Sequence, residues 1–282
     1  MPLRDQLQLR IDRPLSLGRP TLYFLHIPKT AGTTFFEILH ANVPSSEVCP
    51  AYLWRELLAL PRESLSSYRL FRGHFYAYLD VVVPQPLETL TFLRNPIERS
   101  LSHYAHIRRW PGHYFHELAQ RQGSFASFLL DPVTSPLIEN FQSRALVQRL
   151  DPVSIVQTLT PAQVDAFRLE QALETAILDN VSDTELLVRA KERVDALLFV
   201  GITEAFAESV ECLSRRLGWP RPEAPSRLNV GSLRPEANHL DPHTLRLLRE
   251  RTQVDQVLYD YANQRFRSLL GSPGEAERAL SG

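Results

Sequence analysis

The residues that most restrict how this chain can fold are the run Thr21 to Ile27 (TLYFLHI), the proline that ends it and the one-glycine loop that follows. A short, aromatic-rich apolar run halted by Pro28 suits a strand buried on both faces of a parallel sheet. Beyond Gly32 the residues TTFFEIL carry apolar groups at helical spacing, so the unit reads strand, loop, helix. Further buried-strand candidates are Arg69 to Phe75, Glu88 to Leu93 and Leu197 to Thr203. Helical patterns cover about 96–109, 124–130, 136–149, 161–179, 183–194, 204–218 and 241–268. The alternation predicts an α/β fold: a P-loop-like three-layer sandwich with a central, mostly parallel sheet flanked by helices. Residues 1–20 read as an N-terminal arm, 21–270 as a single domain and 271–282 as a frayed tail, with a proline-interrupted irregular segment at 219–240.

Charge narrows the functions open to such a fold. The chain holds 31 Lys+Arg against 32 Asp+Glu, a net charge of -1, which provides no polybasic surface for nucleic acid or an anionic membrane. No apolar run approaches the roughly 18 residues that span a bilayer, and the opening MPLRDQLQLRIDRP builds no signal-peptide core. The expectation is a soluble, cytoplasmic chain without membrane insertion. Cys49 and Cys212 are too few for a disulfide framework or a Cys-based zinc site. Of the 31 basic residues only Lys29 and Lys191 are lysines. Retention of a compact point charge at Lys29, in a chain that otherwise uses Arg, marks the first loop.

That loop, HIPKTAGTTF, has the makings of a phosphate cradle. A tight turn through Ala31 and Gly32 would aim backbone amides into one hollow, with Lys29 and the hydroxyls of Thr30, Thr33 and Thr34 around it. A solvated turn with helix-capping threonines is the plainer reading of the same residues. The loop is not an ATP-binding motif, because Tyr23 and Pro28 stand where that motif needs glycines. None of the candidate strands ends in the aspartate a magnesium site would want. A second constellation is TFLRNPIERSLSHY, Thr91 to Tyr104. Asn95 can cap a helix beginning at Pro96 with Glu98 third, leaving Arg94 at the strand end and Ser102 about two turns in, on the face of Glu98 and Arg99. Arg94 and Ser102 make a second anion pocket, unless Arg94 pairs with Glu98 or a surface acid. Ligands of open α/β sheets sit beyond the carboxyl ends of strands, so both pockets belong on one edge and imply one ligand with two anionic groups.

These residues resemble those of sulfotransferases that use 3′-phosphoadenosine 5′-phosphosulfate (PAPS), particularly the carbohydrate-sulfating branch that includes heparan sulfate 2-O-sulfotransferase. HIPKTAGTTF looks like the 5′-phosphosulfate loop of that family and LRNPIERSLSHY like its 3′-phosphate motif, while RGHF, ENFQSRAL and FVGITEAFAESVECL follow in the family's order. The likeness covers about residues 21–235. It implies that Lys29, Thr30, Ala31, Gly32, Thr33 and Thr34 hold the 5′-phosphosulfate and that Arg94 and Ser102 hold the 3′-phosphate. Asn229 would lie in a loop closing over the nucleotide. His74 would be the catalytic base and Lys29 would stabilise the leaving group, with PAP as product and no metal. An imidazole with an ordinary pKa near 6.5 suits that role. The heparan enzyme has a second histidine two residues before its base, where this chain has Arg72.

The implied function is sulfuryl transfer to a hydroxyl of a saccharide or small molecule. The missing anchor departs from Golgi members of the family and points to a bacterial, cytoplasmic enzyme. Two other classes stay open: a non-catalytic PAP-binding or PAPS-binding sensor, and a nucleotide kinase. The pairs His103/His106 and His113/His116 have H-x-x-H spacing, but Trp110, Pro111 and Gly112 break the helix between them, which opposes a shared metal and leaves His103 and His106 to line a cleft or face water.

Overall fold

The computed structural model describes residues 20–176, 181–220 and 237–271. The expected arm and tail lie outside them almost entirely, as do Asn229 and most of the 219–240 segment.

The strands are β1 (Thr21–Leu25), β2 (Leu70–Gly73), β3 (Leu87–Leu93) and β4 (Phe199–Ile202), each within two or three residues of its expected place. They form one sheet in the order β2-β1-β3-β4, and every pairing is parallel. The helices that matter for the site are α1 (Gly32–Asn42), α2 (Pro96–Arg109), α3 (Phe141–Val147), α4 (Arg168–Thr175), α5 (Asp183–Ala196), α6 (Phe206–Leu217), α7 (Pro242–Arg251) and α8 (Gln253–Gly271). Side chains alternate across a strand, so neighbours Tyr23 and Phe24 serve opposite layers. Phe24 meets Phe35 of α1 edge-on with ring centroids 4.8 Å apart, and Phe92 lies 5.3 Å from Phe206 of α6. Tyr23 turns the other way, toward Phe75 and near Arg193 of α5, which packs between α3 and α8. Helices cover both faces and the fold is α/β.

Two periodic stretches do not run through as single helices. The 161–179 pattern breaks into Pro161–Asp165 and α4, with Phe167 between them in the left-handed region at φ 60°. The 241–268 pattern breaks at Thr252 into α7 and α8. There Asn140 intrudes: its N–H donates to the Arg251 carbonyl, and its Oδ1 accepts from Val254 N at 3.0 Å. Tertiary partners replace the helix's own bonds, which periodicity cannot reveal. The 136–149 pattern shrinks to α3 for a related reason, since Asn140 itself adopts φ 41° at its start.

Gly201 stands opposite Phe92 across the β3–β4 pair. A Cβ there would lie 2.5 Å from the Phe92 ring, which is fully buried and has no room to withdraw. We expect Gly201→Ala to destabilise the protein by about 1–3 kcal/mol through overpacking. Urea denaturation should show a lower midpoint at unchanged slope.

Candidate active site

All four strands point their carboxyl ends to one edge, and the chain leaves the two middle strands in opposite directions. β1 leads to β2 on one side, and β3 leads to β4 on the other. The crevice between the ends of β1 and β3 is the topological switch point, where open α/β sheets hold ligands.

From β1 the chain passes His26, Ile27 and Pro28 into the loop. Lys29 and Ala31 both have left-handed backbone, at φ 73° and 66°, on either side of Thr30. Such conformations cost non-glycine residues about 1–3 kcal/mol each and persist where surroundings impose them. Successive amides in a turn of this kind converge on a concavity, and the start of α1 adds its own unpaired N–H groups. Gly32 itself does not have a positive φ. It is needed for space, because a Cβ there would lie 1.9 Å from His26 Nε2. The Thr30 hydroxyl also departs from expectation: it is fully buried and donates to the Ile27 carbonyl at 2.8 Å. Thr33 is exposed and Thr34 half-buried at the mouth of the hollow.

From β3 the chain turns at Arg94. Asn95 caps α2 through a bond from Glu98 N to its Oδ1, with Pro96 first in the helix. The Asn95 N–H donates to Glu204, just after β4, so the reciprocal half of the expected capping box is supplied from elsewhere. Gln142 of α3 clamps the Arg94 backbone, accepting from its N at 2.9 Å and donating to its O at 2.8 Å. Asp255 of α8 in turn accepts from the N–H groups of Gln142 and Ser143. Held in this way, Arg94 donates through Nη1 to the Lys29 carbonyl at 3.0 Å, so the two turns are joined. Ser102 is half-buried on α2. Arg99 does not share the pocket: it is fully buried, its guanidinium donates to the Leu137 carbonyl, and it lies over the Phe141 ring.

Lys29 is crowded by like charge. Burial, then Arg109 and Arg94, lower its pKa to about 8, and it remains largely protonated at neutral pH. Burial first and Lys29 next lower His106 to about 4. The hollow thus gathers cations and neutral imidazoles, an arrangement relieved by an anion.

His74 follows Gly73, whose φ of 152° only glycine adopts readily and where a Cβ would lie 2.2 Å from the Tyr52 carbonyl. His74 Nδ1 is 2.8 Å from the His26 carbonyl, and its Nε2 is 2.9 Å from the Tyr52 hydroxyl. That hydroxyl is also 2.7 Å from His26 Nδ1, and the two imidazoles stack with centroids 4.7 Å apart. A carbonyl only accepts, so His74 carries its proton on Nδ1 and leaves Nε2 as the acceptor. Tyr52 therefore donates to His74, and His26 donates to Tyr52. Burial lowers His74 to about 4, far from the ordinary value expected of it, and keeps both imidazoles neutral.

A cavity of about 10 Å³ lies beside His74, lined also by Tyr76, Glu170 and Glu174. Glu170 Oε2, Glu174 Oε2 and the Tyr76 hydroxyl are buried without a hydrogen-bond partner among the described residues. Burial raises Glu174 to about 7, against a bond from Tyr114, with Glu170 raising it further and Arg99 opposing.

His103 is buried rather than lining a cleft, His113 accepts from Phe115 N, and His116 bonds the Ile107 carbonyl. Among the described residues no three His, Cys, Asp or Glu side chains group as a metal site, and no helix is long and apolar enough to cross a membrane.

His26, Tyr52, Gln142, Glu174 and Asp255 were not among the expected site residues. His26 left one signal, a lone polar residue inside an otherwise apolar strand run. Gln142 left only its place within ENFQSRAL, and Tyr52, Glu174 and Asp255 left none in local sequence.

No family model matches the chain. Heparan-sulfate 6-O-sulfotransferase 1 of Homo sapiens is 24% identical over 325 aligned positions that take in 98% of this chain and 72% of the relative. The proteins of the same name from Cricetulus griseus and Mus musculus are also 24% identical, over 98% of this chain and 74% and 72% of their own lengths. These weak relatives support a likeness to carbohydrate sulfotransferases. They are named for 6-O-sulfation, and the 2-O branch that the motifs resemble gains no support from them.

The Glu174 carboxyl generates a stability prediction. Its pKa is raised from 4.5 to about 7 on folding, so the protonated form is favoured in the folded state. Stability is then fully present below the unfolded value and is lost as pH rises through the folded one, by about 3 kcal/mol in all. Glu174→Gln should match the native chain in acid and exceed it in stability at alkaline pH. Equal pH dependence of the two urea midpoints would refute the assignment.

Proposed function

We propose that this chain transfers a sulfuryl group from PAPS to a hydroxyl of a saccharide acceptor and releases PAP, by in-line displacement. The observation that carries the reading is the bond from Arg94 to the Lys29 carbonyl, which sets the two turns we read as anion sites side by side at the switch point of the sheet. The left-handed loop backbone and the crowding of cations at Lys29 fit a ligand with two anionic groups. The names of the relatives support a saccharide as acceptor.

When bound, PAPS supplies the sulfuryl group and, as PAP, the leaving anion. The amides from Thr30 through Ala31 and Gly32, with the hydroxyls of Thr33 and Thr34, would hold its 5′-phosphosulfate. Lys29 would face charge developing on the leaving phosphate. Arg94 and Ser102 would hold the 3′-phosphate and favour nucleotides that carry it, through charge-assisted hydrogen bonds that other nucleotides cannot make. Asn229, by the motif resemblance, would complete the nucleotide site. His74, neutral and half-buried, would be where the acceptor's proton ends. A non-catalytic PAP-binding module has one observation in its favour, that both His74 nitrogens are already bonded.

Thermal shift with PAP, ATP, ADP and AMP tests the ligand. PAP alone should stabilise strongly, by about 2.7 kcal/mol at 100 times its dissociation constant. Lys29→Ala should lower turnover more than PAP binding, and His74→Ala should slow transfer while sparing binding. Transfer of labelled sulfate to heparan sulfate separates an enzyme from a sensor.

A pH dependence follows from Lys29. Its free-state pKa is about 8, and a bound polyanion would raise it, so binding takes up a proton. PAP affinity should hold steady below that value and then fall by up to tenfold per unit as pH rises. Calorimetry at about pH 7 and about pH 9 checks this, and Lys29→Met should flatten the profile.

A further inference from the structure

Resting on the sulfotransferase reading, we infer that Tyr52 is a catalytic residue: its hydroxyl takes the acceptor's proton and passes its own to His74. The unbroken order of donors from His26 through Tyr52 to His74 assigns it. His74 has one basic atom, Nε2, and the Tyr52 hydroxyl covers it at 2.9 Å. The other nitrogen is committed to the His26 carbonyl, so the ring cannot offer a second lone pair without breaking that bond. Tyr52 and His74 are both half-buried and keep some accessible surface, whereas His26 is buried. An acceptor hydroxyl seeking the basic nitrogen meets the Tyr52 oxygen.

The Tyr52 oxygen still has a lone pair, since it accepts only from His26 Nδ1, at 2.7 Å. The step balances as follows. The acceptor O–H breaks and an O–H forms on Tyr52, while the original Tyr52 O–H breaks and an N–H forms on His74 Nε2. The acceptor oxygen bonds sulfur, the bond from sulfur to the phosphate oxygen breaks, and its electron pair leaves with PAP. Burial raises the Tyr52 hydroxyl well above its ordinary pKa, so it does not rest as a phenolate and the two transfers are concerted. The ring is held for this by edge contacts with His74 and Phe36, at 4.8 and 5.6 Å between centroids.

Tyr52→Phe keeps those contacts and removes the hydroxyl. With radiolabelled PAPS and heparan sulfate, kcat should fall about 100-fold while both KM values and PAP affinity hold. The double variant Tyr52→Phe/His74→Ala should be no slower than His74→Ala alone, because the two act as one unit. A proton inventory in mixed heavy and light water should be curved for the native protein, as two protons move. Tyr52→Phe turnover within twofold of native, or above it, overturns the inference by showing that His74 takes the proton directly. Nitrogen NMR of the native protein tests the bond order without turnover: His74 must be protonated on Nδ1, and a proton on Nε2 instead overturns the inference. A native protein that binds PAP with the expected tautomer but transfers nothing overturns the enzymatic reading and this step with it.

Discussion

One hydrogen bond, from the Arg94 guanidinium to the Lys29 carbonyl, decides the shape of the site. Each partner would be unremarkable alone: an arginine at a strand end, and a carbonyl in a surface loop. Joined, they tie the turn after β1 to the turn after β3 across the place where the sheet reverses its order. The left-handed backbone at Lys29 sets the direction of that carbonyl, and the Gln142 side chain fixes the arginine's backbone.

Charge and burial work against each other around this bond. Lys29 is held among cations and desolvated, which lowers its affinity for its own proton. His74 and His26 are pushed the same way by burial, and they stay neutral. Neutral imidazoles next to a strained cationic loop are the arrangement a proton-accepting site needs, because an acceptor group must be unprotonated before it can work. Glu174 is displaced in the opposite sense, toward its protonated form, on the far side of His74. Burial thus favours the neutral forms of His26, His74 and Glu174 beside a loop that gathers cations.

How much of this could be read from sequence follows from where each determinant lies. The four strands were readable because TLYFL, LTFL and FVGI are dense in apolar residues, as buried parallel strands are, and RLFRGHF still gathers Leu70, Phe71 and Phe75 in a short run. Asn95, Pro96 and Glu98 announced the start of α2 because capping is local. Lys29, His74 and Arg94 could be named for a similar reason, each standing in the turn that follows a strand, and Ser102 because helical spacing puts it on the face of Glu98 and Arg99. Tyr52, Glu174 and Asp255 could not, since they reach the site from 22, 100 and 113 residues away from His74, His74 and Gln142 respectively, and contact order that long leaves no local pattern. Gln142 lay inside a recognised motif, ENFQSRAL, yet only the fold shows that its amide pairs with the Arg94 backbone. Thr30 was misjudged because a hydroxyl in a loop can face inward as readily as outward, and the Ile27 carbonyl claims it.

The path from Asp255 through Gln142 to Arg94 gives α8 an unexpected standing. A helix that contributes no expected ligand contact anchors the amide that anchors the arginine. The boundary of the working unit is then set by mechanical support, not by the span of recognisable motifs. Any fragment that stops short of this helix would retain every residue proposed for the nucleotide and still lack the scaffold on which Arg94 rests.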